Sequence, residues 1–326
     1  MASKPTPSQL LRSAVRAGLE RAGYSALLNP SGPDTDGSLR PAIEAYLAFH
    51  ALKSGTPLED LVTHLSLPRC CNRPDVDYTI EGEPMINVPG RNGVRPPAAQ
   101  TIERFLSGDL DPLAAPRGVT FWTHDRIRVR WKFSQIPVAT DRNLRRQFKV
   151  WENMCGVRFA VVPEPGHVNI TIYEKRLGMG ILGMAQLPGR GMPENSTLWQ
   201  QISLGHRWDV ALLNTTGAHE TGHNLGSGHR RGGLMNPSHI PGLTKPNADD
   251  LAWARAHYPP RGDENPADID LVNWQDAPTP PPTPDPGTPP PVPPGGEGTV
   301  WVATYCAIQE SKDGQTAVMS GTFRRA

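Results

Sequence analysis

Residues 219–229 read His-Glu-Thr-Gly-His-Asn-Leu-Gly-Ser-Gly-His, and this stretch decides how the rest of the chain is interpreted. His219 and His223 are four residues apart, so on a helix their imidazoles project from one face, one turn apart. Two such nitrogens can hold one zinc ion. Glu220 lies beside the first histidine and can reach the open side of the metal.

A glycine and a third histidine complete the pattern. Gly226 permits the positive φ with which a chain leaves a helix, and His229 then returns as a third ligand. Three histidines leave the fourth zinc position to water, as in a catalytic rather than a structural site. Residues 234–237, Leu-Met-Asn-Pro, follow at the spacing of a Met turn and predict Met235 beneath the ligands. The alternative is a helix with solvent-facing histidines and a glycine cap; the extended pattern and the Met turn count against it.

This motif resembles that of the metzincin metallopeptidases and, among them, the matrixins, the matrix metalloproteinase family. The resemblance implies an α+β metzincin catalytic domain, with a mixed, mostly parallel twisted sheet and packed helices, preceded by a small three-helix bundle. It implies one catalytic Zn2+ held by His219, His223 and His229. Glu220 would then be the general base for a zinc-activated water.

Composition limits the partners and the compartment. The chain has 326 residues, enough for two domains, and a net charge of +1. This charge gives no electrostatic reason to expect nucleic-acid or membrane binding, so a protein or peptide substrate is the expected partner. The sequence has no apolar run long enough to span a membrane and no signal peptide at residues 1–9. The family resemblance nevertheless implies a secreted, extracellular protein, and the oligomeric state stays open.

Residues 1–80 are predicted to form a helical propeptide-like domain. Apolar periodicity predicts a helix over residues 8–22 that stops at Gly23, and a second helix that Pro41 opens. Residues 56–59, Thr-Pro-Leu-Glu, predict a capping box for a third helix. The bundle resembles the matrixin propeptide, whose fold is also that of peptidoglycan-binding-like domains.

Residues 68–76 read Pro-Arg-Cys-Cys-Asn-Arg-Pro-Asp-Val and resemble the matrixin cysteine switch, Pro-Arg-Cys-Gly-x-Pro-Asp. A thiolate is a strong, soft zinc ligand, so in the fourth position it displaces water and keeps the enzyme latent. Cys70 keeps the Pro-Arg side of the pattern, whereas Cys71 keeps the spacing to Pro74 and Asp75. We favour Cys70 as the switch thiolate, with Cys71 as the second choice. A buried structural cysteine pair is the alternative.

Residues 81–118 are rich in Gly, Pro and Asn and are predicted to be a connecting loop, whose cleavage would free a peptidase domain at 119–259. In that domain, alternating residues at 126–133 predict a strand with Ile127 and Val129 facing inward. A helix from about Asp141, with Cys155 on its apolar side, and two further strands then predict a parallel βαβ unit.

Residues 180–189 resemble the matrixin edge strand, against which an extended substrate pairs. Met184 replaces the family's histidine ligand of a second zinc, and residues 173–179 lack the family's His-x-Asp and calcium-binding acids. The resemblance therefore implies one zinc ion and leaves calcium uncertain. His239 stands where the family has a tyrosine in the wall of the specificity pocket, so specificity stays open.

The C-terminal part is divided by composition. Residues 260–297 are predicted to be a Pro-rich, semi-rigid linker. Residues 298–326 are predicted to be a β-hairpin tail, which could be a fragment of a domain.

Two functions from different classes fit these observations. The first is a latent zinc-dependent metalloendopeptidase. The second is a catalytically inactive metzincin-fold protein with a binding or structural role. Glu220 distinguishes them, because an inactive protein would tolerate the loss of this residue, and its presence favours the enzyme.

Overall fold

The computed structural model describes residues 5–29, 34–71, 73–76, 99–107, 119–123, 126–178, 180–189 and 197–272, and the backbone of two strands at 301–310 and 317–325. The chain divides into two compact units, Met1–Trp274 and Gln275–Ala326. Several sequence predictions fall outside the described residues: most of the connecting loop, at 81–98 and 108–118, and most of the predicted linker, at 273–297.

The first unit begins with a helical bundle. Its helices are α1 (Pro7–Ala22), α2 (Asp36–Phe49), α3 (Leu58–Leu65) and α4 (Ala99–Leu106), with a 3-10 turn at Ser25–Leu27. Gly23 ends α1 with a φ of 98°, which confirms the predicted stop. The apolar faces of the helices meet in one buried cluster that includes Val15, Leu19, Leu39, Tyr46, Phe49, Leu61 and Ile102.

The starts of two helices differ from the sequence prediction. Helix α2 begins at Asp36 rather than at Pro41, because Thr35 and Ser38 form a capping box ahead of it. Helix α3 begins at Leu58, with Pro57 as its N-cap instead of its first residue, and it lacks the expected capping box. The Thr56 hydroxyl donates instead to the carbonyl of Lys53, at 2.7 Å.

Helix α4 lies within the region that the sequence analysis assigned to a connecting loop, residues 81–118. Its Ile102 is buried in the bundle core. The sequence analysis did not predict this helix of eight residues, because glycine, proline and asparagine dominate the composition of the region around it. Part of the predicted connection therefore belongs to the bundle.

The rest of the first unit is built on a five-stranded sheet. Its strands are β1 (Ile127–Lys132), β2 (Phe159–Val161), β3 (Ile170–Lys175), β4 (Gly183–Ala185) and β5 (Leu198–Ser203), in the order β2-β1-β3-β5-β4. The pairs β1–β2, β1–β3 and β3–β5 are parallel, and β4 is antiparallel to β5. Helix α5 (Asp141–Met154) connects β1 to β2, so the predicted parallel βαβ unit is confirmed and the class is α+β.

Helices α5, α6 (Val210–Asn224) and α7 (Ala248–His257) form a second apolar core with the sheet. The indole of Trp151 donates to the carbonyl of Ala218 at 2.8 Å, which fixes α5 against α6. Trp253 of α7 meets Trp151 edge to face, with ring centroids 6.2 Å apart. Cys155 is fully buried in this core, as predicted. This packing holds α6, the helix that carries the histidine motif.

The folded region continues past residue 259, where the sequence analysis began the linker. Leu271 is fully buried in the second core. Arg146 of α5 is 1% exposed and pairs with Asp268 at 2.7 Å. Asn153 donates to the carbonyl of the same aspartate at 2.9 Å. Residues 260–271 are therefore part of the packed unit, and the linker predicted for 260–297 starts later.

The second unit contains an antiparallel hairpin of β6 (Trp301–Glu310) and β7 (Ala317–Arg325), which confirms the hairpin predicted from the sequence. Among the described residues, no helix is both long and apolar enough to cross a membrane.

Candidate metal centre

Helix α6 and the turn after it bring three histidines together. Asp209 caps the start of α6, its carboxylate accepting from the amide of Leu212 at 2.8 Å. His219 and His223 lie one turn apart with ring centroids separated by 4.8 Å. Gly226 has the positive φ that the sequence predicted, 99°, and the chain turns there. The ring of His229 thereby comes within 4.9 Å of the His223 ring.

Each of these imidazoles uses Nδ1 to bind a backbone carbonyl. A carbonyl can only accept, so Nδ1 carries the proton and Nε2 keeps a lone pair for a metal. The acceptors for His219, His223 and His229 are Leu234 (2.8 Å), Ser227 (2.8 Å) and Pro74 (2.6 Å), respectively. The buried Nε2 of His219 has no hydrogen-bond partner among the described residues. A metal ion would satisfy this lone pair.

Cys71 completes the cluster. Its Sγ lies 3.1 Å from Nε2 of His229 and 3.4 Å from Nε2 of His223. The sulfur and one ring nitrogen from each of the three histidines all lie within 4.8 Å of one another, and all four side chains are buried. The structure thus brings Cys71 to the histidines rather than Cys70, the cysteine that the sequence analysis favoured, and that choice is corrected here.

The backbone explains which cysteine faces the site. Cys70 is held by backbone hydrogen bonds on both sides: its amide donates to the Pro237 carbonyl at 2.8 Å, and its carbonyl accepts from the Gly183 amide at 2.7 Å. The chain bends at these two residues, and Cys71 is the one whose sulfur lies at the histidine nitrogens. The spacing of Cys71 to Pro74 and Asp75 was the sequence signal that pointed to this answer.

The four donors fit a zinc ion. Tetrahedral zinc with bonds of about 2.3 Å to sulfur and about 2.05 Å to nitrogen places sulfur and nitrogen ligands about 3.6 Å apart, and the Cys71 sulfur lies 3.4 and 3.1 Å from the His223 and His229 nitrogens. Burial lowers the pKa of His219 to about 3, so its imidazole is neutral, as a ligand requires. Burial and the nearby Glu220 raise the pKa of the Cys71 thiol, so a thiolate there needs a cation beside it.

Glu220 lies beside this cluster but outside the four converging donors. It is fully buried, and neither carboxylate oxygen has a hydrogen-bond partner among the described residues. Gly183 of β4 lies directly against it, since a Cβ built there would come 2.7 Å from Oε1. Burial raises the pKa of Glu220 well above its ordinary value, and the Arg73 charge acts in the opposite direction. Such a carboxylate is suited to proton transfer.

Met235 lies behind the ligand helix. It is fully buried, and its sulfur lies against Gly222 of α6, the residue before His223. Asp250 of α7 holds the turn in place by accepting from the amide of Leu234 at 2.5 Å and from that of Met235 at 3.3 Å. Because the Leu234 carbonyl accepts from His219, this aspartate also orients the first histidine.

The segment that carries the cysteines occupies a cleft between two stretches of backbone. On one side, the backbone amide of Arg69 donates to the Gly180 carbonyl at 2.8 Å, and the Arg69 carbonyl accepts from the Leu182 amide at 2.9 Å. On the other side, the amide of His239 donates to the Pro68 carbonyl at 2.8 Å. The stretch that the sequence analysis took for a substrate-pairing edge therefore pairs here with the chain's own N-terminal segment.

A buried ion-pair group, which the sequence analysis missed, anchors this segment. Asp75 is fully buried and binds Arg69 at 2.7 Å and Nε2 of His50 at 2.9 Å. Burial by itself would raise the pKa of Asp75, but Arg69 and His50 outweigh it and hold the pKa below its ordinary value. Arg69 and Asp75 both match residues of the cysteine-switch pattern, and this match was the sequence signal that could have revealed the pair.

Comparison with known proteins agrees with part of this description. No protein-family model matches the chain. A hatching enzyme from Paracentrotus lividus is 33% identical over 132 residues, which is 35% of this chain and 22% of the relative. The match thus spans about a fifth of the relative's length.

Proposed function

We propose that this chain is a latent zinc-dependent metalloendopeptidase of the metzincin class, with a matrixin-like catalytic region. The observation that carries the proposal is the convergence of three imidazoles and one thiol at a buried point beside a carboxylate that has no other partner among the described residues. Histidine and cysteine are the ligands that zinc prefers, and a nearby free carboxylate supplies the general base that peptide hydrolysis needs.

The surroundings of the site support the same class. The α+β fold with its mostly parallel sheet, the glycine turn before the third histidine and the buried methionine at Met235 accompany the motif. The partial match to a hatching enzyme is consistent with an enzyme of this kind, and a protein or peptide substrate and an extracellular site of action follow as proposals.

In the active form, a zinc ion held by His219, His223 and His229 would supply a Lewis acid for the water and for the scissile carbonyl. Glu220 accepts the proton from the attacking water and later delivers it to the leaving amine. Its carboxylate has no hydrogen-bond partner in the described part of the chain and is therefore free to take up this proton. The backbone groups at 180–183 and 237–239 hold the extended peptide, as they hold residues 68–70 in the latent form.

Latency follows from two contacts made by the same segment. Cys71 occupies the position in which a water would otherwise face Glu220 and the three histidines. Residues 68–70 fill the cleft and use the backbone hydrogen-bonding groups that a substrate would use. The segment blocks both the reacting water and the peptide, so activation requires its removal, by cleavage within the connection at 81–118.

The alternative, an inactive binding or structural protein on the same fold, accounts less well for Glu220. A fully buried carboxylate without a hydrogen-bond partner in the described part of the chain destabilises the fold. A protein that only binds would gain by replacing it with an apolar residue. The presence of this carboxylate therefore favours the enzyme.

The test is the Glu220→Gln variant, which keeps the size of the side chain and removes the base. After cleavage of the connection, we expect peptide-library hydrolysis to fall by about 100-fold or more, while elemental analysis still finds one zinc per chain, as in the wild type. Cleaved Glu220→Gln enzyme with activity within tenfold of the wild type would refute the assigned mechanism. Wild-type protein that binds no zinc would refute the proposal as a whole.

A further inference from the structure

The three histidines differ in where their second hydrogen bond goes. His219 donates to the carbonyl of Leu234 and His223 donates to that of Ser227, and both acceptors lie shortly after α6 in the chain. His229 donates to the carbonyl of Pro74, which lies 155 residues earlier and belongs to the segment that follows the bundle. One ligand of the catalytic metal is therefore oriented in part by the region whose removal would activate the enzyme.

Pro74 is itself positioned by the end of helix α1. Gly23 packs so closely on the proline that a Cβ built at the glycine would lie 2.5 Å from Cβ and 2.9 Å from Cα of Pro74. The amide of Asp75 donates to the carbonyl of Ala22 at 2.9 Å and fixes the chain just after the proline. The proline ring is rigid, so any side chain at residue 23 would move the backbone that carries the Pro74 carbonyl.

We propose that the N-terminal bundle, through Gly23 and Pro74, orients His229 and so makes the latent chain retain its zinc more tightly. This inference rests on the proposed function, because it takes the three-histidine cluster as a zinc site. It goes beyond the blocking action of Cys71, because the bundle supports a ligand that the active enzyme also uses. The bundle thus helps to retain the zinc ion in the latent form, in addition to holding the segment that blocks the site.

The expected size of the effect follows from general experience with zinc ligands. A hydrogen bond to the far nitrogen of a ligating histidine fixes the orientation of the ring and raises its basicity, and losing it lowers metal affinity by about 10- to 100-fold. The same loss should apply when the bundle moves away. The activated enzyme would then depend more on the free zinc concentration of its surroundings than the latent chain does.

The experiment compares two glycine substitutions in the zinc-loaded full-length chain. Gly23→Ala places a methyl group against Pro74. Gly55→Ala is the matched control, because Gly55 also has a positive φ, 80°, and a Cβ there would meet no described atom within 4 Å. Both variants carry the same kind of backbone strain, so a difference between them reports the contact with Pro74. The measured quantity is the rate at which zinc passes to an excess of a chelating dye.

We expect Gly23→Ala to release zinc about tenfold faster than Gly55→Ala, with Gly55→Ala close to the wild type. Both variants are then made again in a Cys71→Ser background, which removes the thiolate. If the effect runs through His229, the tenfold ratio persists there. If the ratio disappears in that background, the effect runs through the thiolate and the inference is wrong; equal release rates in both backgrounds also overturn it.

A folding defect is controlled by circular dichroism, since alanine is strained at the φ of Gly23. If Gly23→Ala is not folded, Pro74→Ala carries the test, because it removes the ring from against Gly23 while keeping the carbonyl. Faster zinc release from Pro74→Ala supports the inference, and release at the wild-type rate overturns it. A wild-type chain that takes up no zinc would refute the proposed function itself, which is a different result from equal release rates among zinc-loaded variants.

Discussion

The two sides of the metal centre are built in different ways. His219 and His223 belong to one buried helix, and the carbonyls that orient them come from residues close behind it. On the other side, the orienting carbonyl for His229 and the thiol that faces the cluster both come from residues 71–74. One half of the site is therefore self-contained, whereas the other half depends on a segment that activation would remove under the proposed function.

If the proposed function is taken as the starting point, this difference separates two requirements of a latent enzyme. The helix side has to keep its geometry through activation, and its ligands are held by a core that includes Trp151, Met235 and Trp253. The segment that carries the cysteines has to bind firmly in the latent form and still be removable. Backbone hydrogen bonds to Gly180, Leu182 and Pro237 hold it in place, and the buried pair of Arg69 with Asp75 fixes its own conformation.

The largest expected effect concerns the ion pair on the segment side. Asp75→Asn leaves Arg69 buried without its counter-charge, and we expect the free energy of unfolding to fall by about 3–5 kcal/mol. The control is Asp36→Asn, whose carboxylate is 67% exposed beside Arg12, so this change should lower the free energy of unfolding far less. Urea unfolding of the full-length chain measures both. Equal costs for the two variants would show that the buried pair does not anchor the segment.

The same pair predicts a dependence on pH. The pKa of Asp75 lies below its ordinary value in the folded chain. Its stabilisation is therefore complete above the unfolded pKa of about 3.9 and is lost as the pH falls through the folded pKa. In metal-free protein, the difference in unfolding free energy between wild type and Asp75→Asn should be constant near neutral pH and should shrink below about pH 4. A difference that grows on acidification would contradict this assignment.

A smaller effect tests the helix side. Gly222→Ala would press a methyl group against the sulfur of Met235 and against Trp151, so we expect a loss of about 1–3 kcal/mol. Gly37→Ala is the control, because this helical glycine has no described atom within 4 Å of a built Cβ and should be neutral or slightly stabilising. Thermal unfolding compares the two. If Gly222→Ala is as stable as Gly37→Ala, the methionine does not pack tightly beneath the ligand helix.

The smallest effect separates the two neighbouring cysteines. Cys71→Ser removes the thiol that faces the histidines while residues 68–70 still fill the cleft, so activity of the uncleaved chain should rise only about tenfold, equivalent to about 1.4 kcal/mol. Cys70→Ser should leave the uncleaved chain as latent as the wild type, and the double variant should match Cys71→Ser. Activation by Cys70→Ser alone would reverse the assignment made here.

Local sequence patterns predicted a large part of the fold. The spacing of His219 and His223, the positive φ of Gly226 and the alternating residues of β1 each depend on neighbours a few positions away, and the structure shows all of them as expected. Such features follow from backbone geometry and do not require knowledge of the tertiary fold.

The features that the sequence did not show depend on distant contacts. The sequence analysis favoured Cys70 over Cys71, and this choice was wrong because the answer depends on how residue 70 pairs with Gly183 and Pro237, far along the chain. The buried pairing of Arg146 with Asp268, which extends the folded unit past residue 259, also joins residues that no local pattern connects. The role of the Pro74 carbonyl has no sequence signature, since every residue has a carbonyl.

The most direct test of the account is the zinc X-ray absorption spectrum of the uncleaved, zinc-loaded chain. The account predicts one sulfur at about 2.3 Å and three nitrogens at about 2.0–2.1 Å from the metal. In Cys71→Ser the sulfur should be replaced by a light atom, whereas Cys70→Ser should keep it. A wild-type spectrum without sulfur, or a sulfur that disappears in Cys70→Ser and not in Cys71→Ser, would contradict the assignment of Cys71 as the group that holds this enzyme latent.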